Sequence, residues 1–239
     1  MKVNWSYIKG VVLLSVVVFL FAFSSARNGN RKVAKATIEF VEEQKPFITH
    51  ATVSKLLIQN QQPLASVPKE TLDLHGLESA LNTNAMIEKA EIYLNVNGDF
   101  SAKIKQKEPI ARVLKSDSYY IDSKGGYMPL SSNFTARVPM VTGEVSKKNL
   151  TNVFAIASRI ERDEFMKKNV VEIIQNKDMS INLKLRQCNF IVQFGKLEHL
   201  DKKINNLKAF FKKAIKDKSL DKYSKVNLQF ENQVVCTKV

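Results

Sequence analysis

IEKAEIYLNVNGDFSAKIKQ, residues 87–106, is two runs of alternating residues broken at Asn97-Gly98-Asp99. Asn and Gly both tolerate positive φ, so such a break between strand-like runs predicts a β-hairpin. Its strands are residues 87–94 and 100–106. Upstream, Leu74, Leu77 and Leu81 recur at helical spacing until Asn82-Thr83-Asn84 stops them. Before a polar stretch carrying Pro63 and Pro68, Val53, Leu56 and Leu57 share the face of another helix, with Thr49 or Thr52 as its cap. Residues 33–41 carry β-branched and aromatic residues at strand spacing. The order is β-α-α-β-β, closing near Pro109 in a unit of about 80 residues, large enough to fold alone. Helices on one sheet face would leave a strand edge open to an added strand.

The second half continues with strands, and the fold class is α+β. Tyr119-Tyr120-Ile121 and Tyr127-Met128 flank Asp122-Ser123-Lys124-Gly125-Gly126, a turn by composition. Residues 170–174 and 179–185 flank Asn176-Lys177-Asp178, another hairpin. Residues 190–194 alternate apolar and polar, as do Val226, Leu228 and Phe230. Two helices interrupt the strands, at about 149–167 and 197–216. In the second, Leu197, Leu200, Ile204, Leu207, Phe211 and Ala214 form one stripe, as on a helix packed against a sheet. Lysines occupy its other faces.

The front of the chain differs from the rest. Residues 11–23 are apolar except for Ser15, and residues 8–26 add only Lys9 as a charge. Nineteen helical residues span roughly 28 Å, close to the bilayer core of about 30 Å. Trp5 and Tyr7 stand where an interfacial aromatic belt would hold a permanent span, and Lys9 can snorkel to the same interface. A retained anchor is the expectation; Ser24-Ser25-Ala26 leaves a cleaved signal as the alternative. Lys2 and Lys9 precede the span and Arg27, Arg31, Lys32 and Lys35 follow it. That count would put the body in the cytoplasm, but long domains translocate largely regardless of flanking charge, so it leaves the side open.

The chain has 239 residues, 37 Lys and Arg against 23 Asp and Glu, and a net charge of +14. The lysines are spread over both halves and the aromatics fall at core spacing, so no nucleic-acid partner is expected. The charge suits solubility, steering toward acidic partners, and an anionic membrane surface near Arg27, Arg31 and Lys32. His50, His75 and His199 make no spaced metal pair. There is no phosphate loop, nucleophile elbow or zinc-protease motif. The adjacent carboxylates Glu42-Glu43 and Asp163-Glu164 point apart and read as solvated surface. The reading is of a non-enzyme without cofactor or metal. Cys188 and Cys236 lie in or beside strands, as small apolar residues or, if close enough in an exported domain, as a disulfide.

Leu74-His75-Gly76-Leu77-Glu78-Ser79-Ala80-Leu81, then Ile87-Glu88-Lys89-Ala90-Glu91-Ile92, then Lys107-Glu108-Pro109-Ile110-Ala111-Arg112 resembles the POTRA domain of the FtsQ/DivIB bacterial cell-division proteins. Glu108, Pro109 and Ala111 stand in the place of the signature that ends that domain. Tyr120-Ile121-Asp122 with Gly125-Gly126, followed by Val138-Pro139-Met140-Val141-Thr142-Gly143, is similar to the opening of the family's second, β domain. Asn227-Leu228-Gln229-Phe230 stands where relatives carry Asp-Leu-Arg-Tyr, losing one acid and one base. The resemblance implies a cytoplasmic tail (residues 1–7), an anchor (8–26), a linker (27–32), a POTRA domain (33–114) and a β domain (115–239).

It also implies an extracytoplasmic body, an inner-membrane location at the division septum, and a scaffold that recruits FtsB-like and FtsL-like partners. Through them it would help regulate the septal peptidoglycan synthase. The rivals are a POTRA-type chaperone of outer-membrane protein export, normally marked by tandem POTRA repeats or a barrel, and a membrane-anchored hydrolase. Little sequence follows residue 236 to cover a last strand, so the partner is expected on the edge formed by Val226, Leu228, Phe230, Asn232, Gln233, Val234 and Val235. Phe230 is the expected anchor. The competing reading is that Val226, Leu228 and Phe230 face the core beneath the 197–216 helix.

Overall fold

The computed structural model describes residues 5–29, 32–33, 35–42, 45–59, 68–147, 149–230 and 233–239. Contacts divide the chain into two units, Met1–Gln106 and Lys107–Val239. Asn232 and Pro63 lie outside the described residues.

The first unit opens with α1 (Trp5–Gly29). Within it, Tyr7–Asn28 is long and apolar enough to cross a membrane, and none of its apolar window is buried in the protein. The body of the unit is β1 (Lys35–Phe40), α2 (His50–Gln59), α3 (Leu74–Asn82), β2 (Ile87–Leu94) and β3 (Asp99–Gln106). This is the β-α-α-β-β order read from the sequence. Thr49 rather than Thr52 caps α2, its Oγ1 accepting the Thr52 N–H at 3.2 Å. Asp73 caps α3 by accepting the Gly76 N–H at 2.9 Å. Gly98, at φ 90°, makes the hairpin turn that a Cβ would strain. In the sheet β3 is central, parallel to β1 and antiparallel to β2. Phe100, Ala102 and Ile104 of β3 are buried and pack with Val53, Leu57 and Leu77. Ser101 and Lys103 point to the other face, as strand alternation requires.

The second unit is built on one nine-stranded sheet. Its elements are β4 (Pro109–Val113), β5 (Tyr119–Asp122), β6 (Tyr127–Pro129), β7 (Met140–Gly143), α4 (Thr151–Glu161), α5 (Glu164–Asn169), β8 (Val170–Gln175), β9 (Ile181–Leu185), β10 (Ile191–Gly195), α6 (Leu200–Lys216), β11 (Tyr223–Asn227) and β12 (Val235–Lys238). The strand order is β12-β11-β10-β9-β8-β7-β4-β5-β6. The pairs β7–β8 and β10–β11 are parallel, and parallel neighbours need a crossover. Helices α4 and α5 supply the first and α6 the second. Both crossovers step toward β12 from strands of the same direction, so a common hand puts the helices on one face. The Phe165–Phe211 ring contact, with centroids 5.2 Å apart, joins α5 to α6 there.

Three expectations change. The unit boundary falls after Gln106, not after residue 114, because β4 pairs with β5 and β7 of the second sheet. The helix expected over 149–167 is two helices. Asp163 adopts an extended backbone, and its side chain accepts the Met166 N–H to start α5 afresh. Helix α6 begins at Leu200 rather than Leu197, because His199 is left-handed, at φ 53°.

Candidate partner-binding site

The candidate site lies at the β12 end of the second sheet and grows from one row of side chains. In register, Val113, Val141, Ile173, Leu183, Val192, Val226 and Cys236 stand side by side across seven strands. All but Cys236 are fully buried beneath the helices. Val226 is therefore a core residue, and so is Leu228, 1% exposed, whose N–H donates to the Gln193 carbonyl at 3.0 Å. The expectation that these two meet a partner is corrected by the helices that cover them.

Phe230 escapes the same row. Asn227 Oδ1 accepts the Gln229 N–H at 2.8 Å, an Asx turn that takes the backbone out of the strand. Gln229 then passes so close to Gly195, at φ 74°, that a Cβ there would lie 2.7 Å from its Cγ. Beyond that bend Phe230 is 47% exposed. The chain returns as β12, antiparallel to β11 with Asn227 opposite Val235. Gln233 is exposed, Val234 packs on the core, and Val235, 41% exposed, points to the opposite face.

The outer edge of β12 has no strand beside it among the described residues. The Val239 N–H donates inward to the Lys222 carbonyl at 3.0 Å. Alternation in an antiparallel strand then turns the N–H and C=O of Cys236 outward. Two grooves border α6, of which the smaller reaches β12. One of about 410 Å³ lies between α6 and β12, lined by Asn206, Phe210, Lys213, Tyr223, Val234 and Cys236. A larger one of about 1370 Å³ runs along α5 and α6, with Phe165, Phe211, Arg137, Lys168, Arg186 and Lys212 in its lining. Lys208 pairs with Asp163 and Lys167 with Glu161, whereas Arg137, Lys168, Arg186 and Lys212 have no ion-pair partner among the described residues. The sequence reading missed this basic groove. Its lysines looked like a solvated helix face, and Arg137 and Arg186 come from loops far away in the chain.

A family model described as FtsQ/DivIB, C-terminal related matches residues 108–237. The chain belongs to that family. No curated protein matches it. The matched stretch begins one residue inside the second unit and covers that unit almost to its end. FtsQ/DivIB proteins are cell-division proteins, a non-enzymatic scaffold family. Among the described residues of this member, no group of three or more His, Cys, Asp and Glu side chains is placed to hold a metal.

Other positions singled out in the FtsQ/DivIB-related sequence have different roles. Glu108, Pro109 and Ala111 belong to the second unit. The Glu108 carbonyl accepts the Ser123 N–H at 2.8 Å, Pro109 pairs opposite Asp122, and Ala111 is buried opposite Ile121. They open the nine-stranded sheet instead of closing the three-stranded one. Cys188 and Cys236 are free thiols. Burial raises both pKa values, with Asp221 adding to the effect at Cys188, so both are held as thiols.

Asp163 joins α5 to α6 beside the basic groove. Burial works to raise its pKa, but the Lys208 bond, the Met166 N–H and the Lys208 and Arg159 charges prevail and hold it below the usual carboxylate range. A depressed carboxylate contributes stability above its unfolded pKa, about 3.9, and that stability is lost as pH falls through the lower folded value. Melting of the second unit is therefore expected to weaken below about pH 4 partly through this residue. Asp163→Asn keeps the cap and removes the charge, so its melting temperature should depend less steeply on acid. An unchanged acid slope in that variant would assign the pH dependence elsewhere.

Proposed function

We propose that the chain is a single-pass division scaffold that recruits FtsB-like and FtsL-like partners through the β12 edge and so helps regulate septal peptidoglycan synthesis. The observation that carries this reading is the open β12 edge, with Val235 exposed on one face, the α6 groove on the other, and exposed Phe230 in the turn that leads into it. A partner strand laid along β12 would gain main-chain hydrogen bonds and place alternate side chains over the groove next to Cys236. The basic groove on α5 and α6 suits an acidic amphipathic continuation of the same partner. Of the chain's 37 Lys and Arg and 23 Asp and Glu, 25 and 14 lie in the second unit, so steering of acidic partners falls mainly to that unit.

In this reading α1 is retained as the anchor, residues 1–7 are cytoplasmic, the body is periplasmic, and the β-α-α-β-β unit is a POTRA domain. A full-length fluorescent fusion is expected to concentrate at the division septum, with depletion producing filaments. Uniform membrane fluorescence and normal septation on depletion would sink the proposal.

A further inference from the structure

The two outer edges of the three-stranded sheet differ. Along β2, the Asn82 side chain takes the place of a neighbouring strand. Its Oδ1 accepts the Ala90 N–H at 2.7 Å and its Nδ2 reaches the Ala90 carbonyl at 3.5 Å. Along β1, no strand lies beside the outer edge among the described residues. The Val41 N–H donates inward to the Ile104 carbonyl at 3.0 Å. Alternation along β1 therefore turns the backbone groups of Ala36, Ile38 and Phe40 outward.

From this geometry we infer that β1 pairs with β1 of a second copy of the chain, antiparallel and centred on Thr37. In that register Thr37 faces Thr37 of the second copy, Ala36 faces Ile38, and Lys35 faces Glu39, each heterogeneous pair occurring twice. The outward N–H and C=O groups of Ala36 and Ile38 meet their counterparts, so the backbone bonds close without a gap. Half-buried Ile38, already packed against the core of its own unit, gains an apolar neighbour on the helix-covered face. On the other face the sheet already alternates in charge across Glu91, Lys103 and Glu39. Position 35 of the second copy, a lysine in the sequence, takes the next register place beside Glu39.

Sliding the register so that Ile38 faces Ile38 keeps the backbone bonds but puts Glu39 opposite Thr37, losing both charge pairs. Registers centred on Ala36 or on Glu39 also keep backbone bonds and also lose the charge pairs, so charge selects the register centred on Thr37. The contact is isologous and closed, giving a six-stranded sheet from two copies. Chains held in one membrane would meet at raised effective concentration, which helps a short edge contact form.

Cysteine crosslinking in the full-length chain, in native membranes, tests the register. Facing residues of such a non-hydrogen-bonded pair have Cα atoms about 4.5 Å apart, within disulfide reach. Thr37→Cys should therefore give a covalent dimer under mild oxidation, while the parent chain with its own two cysteines should not. Glu39→Cys should also stay monomeric, since the two positions 39 would lie about 14 Å apart along the strands. In the Thr37→Cys background, Glu39→Lys should lower the dimer yield roughly three- to tenfold, and adding Lys35→Glu should restore it. Equal crosslinking at positions 37 and 39, a crosslink only to a chain of different mass, or failure of the double reversal to restore the yield would each overturn the proposal.

Discussion

Alanine at Leu228 is expected to destabilise the second unit by about 2–5 kcal/mol, the range for truncating a buried leucine. The side chain is 1% exposed and belongs to the core under the helices, together with Val192, Val226 and Leu207. Removing it leaves a cavity that the surrounding strands can close only in part, because β10 and β11 are pinned by their ladder and by the Leu228–Gln193 backbone bond. Below its lowered melting temperature the variant should bind a division partner with near-native affinity. Chemical denaturation of the isolated variant and parent, followed by binding measured well below both transitions, checks this. Unchanged stability with lost binding would return Leu228 to the docking surface.

Phe230 should show the opposite signature. Its ring is about half exposed beyond the Asx turn at Asn227, so Phe230→Ala should scarcely change melting. If the ring anchors the partner, its loss should cost about 2 kcal/mol or more, roughly a thirtyfold weaker complex. A second variant, Val235→Glu, places a charge on the exposed face of β12 without entering the core. Val234 is unsuitable for that purpose because it packs against the core. Val235→Glu should weaken binding further while the fold survives. Native affinity for an FtsB-like partner in the Phe230→Ala, Val235→Glu double variant would refute the β12 edge as the docking site. A matching loss of stability and binding in Phe230→Ala would show instead that the ring supports the fold.

The elements legible in the sequence are those whose chemistry is local. Asn97-Gly98 announces a hairpin because the turn needs positive φ, and Gly98 adopts it. Leu74, Leu77 and Leu81 announce α3 because three apolar residues on one helical face have to find a core, and Leu77 and Leu81 are buried. The apolar run at the front shows its length and character without any neighbour. The family resemblance was legible for the same reason, as an ordered series of local motifs.

What the sequence by itself determined was therefore the membrane-length helix, the β-α-α-β-β order, the hairpins and the alternating character of Val226, Leu228 and Phe230. Alternation says that one side of a strand is covered but not what covers it, nor where the strand stops. Only the tertiary structure decided those points. The β10–β11 crossover brings α6 over the end of the sheet that holds Val226 and Leu228, while the turn at Asn227 and the close pass of Gln229 over Gly195 release Phe230. Whether β4 closes the first sheet or opens the second depends on its hairpin with β5 and on its parallel pairing of Val113 with Val141 in β7, and that long-range pairing carries no local signature. The same holds for the outer edges of β12 and β1. An edge is defined by the strand that is not beside it, and that depends on every long-range pairing in the sheet at once.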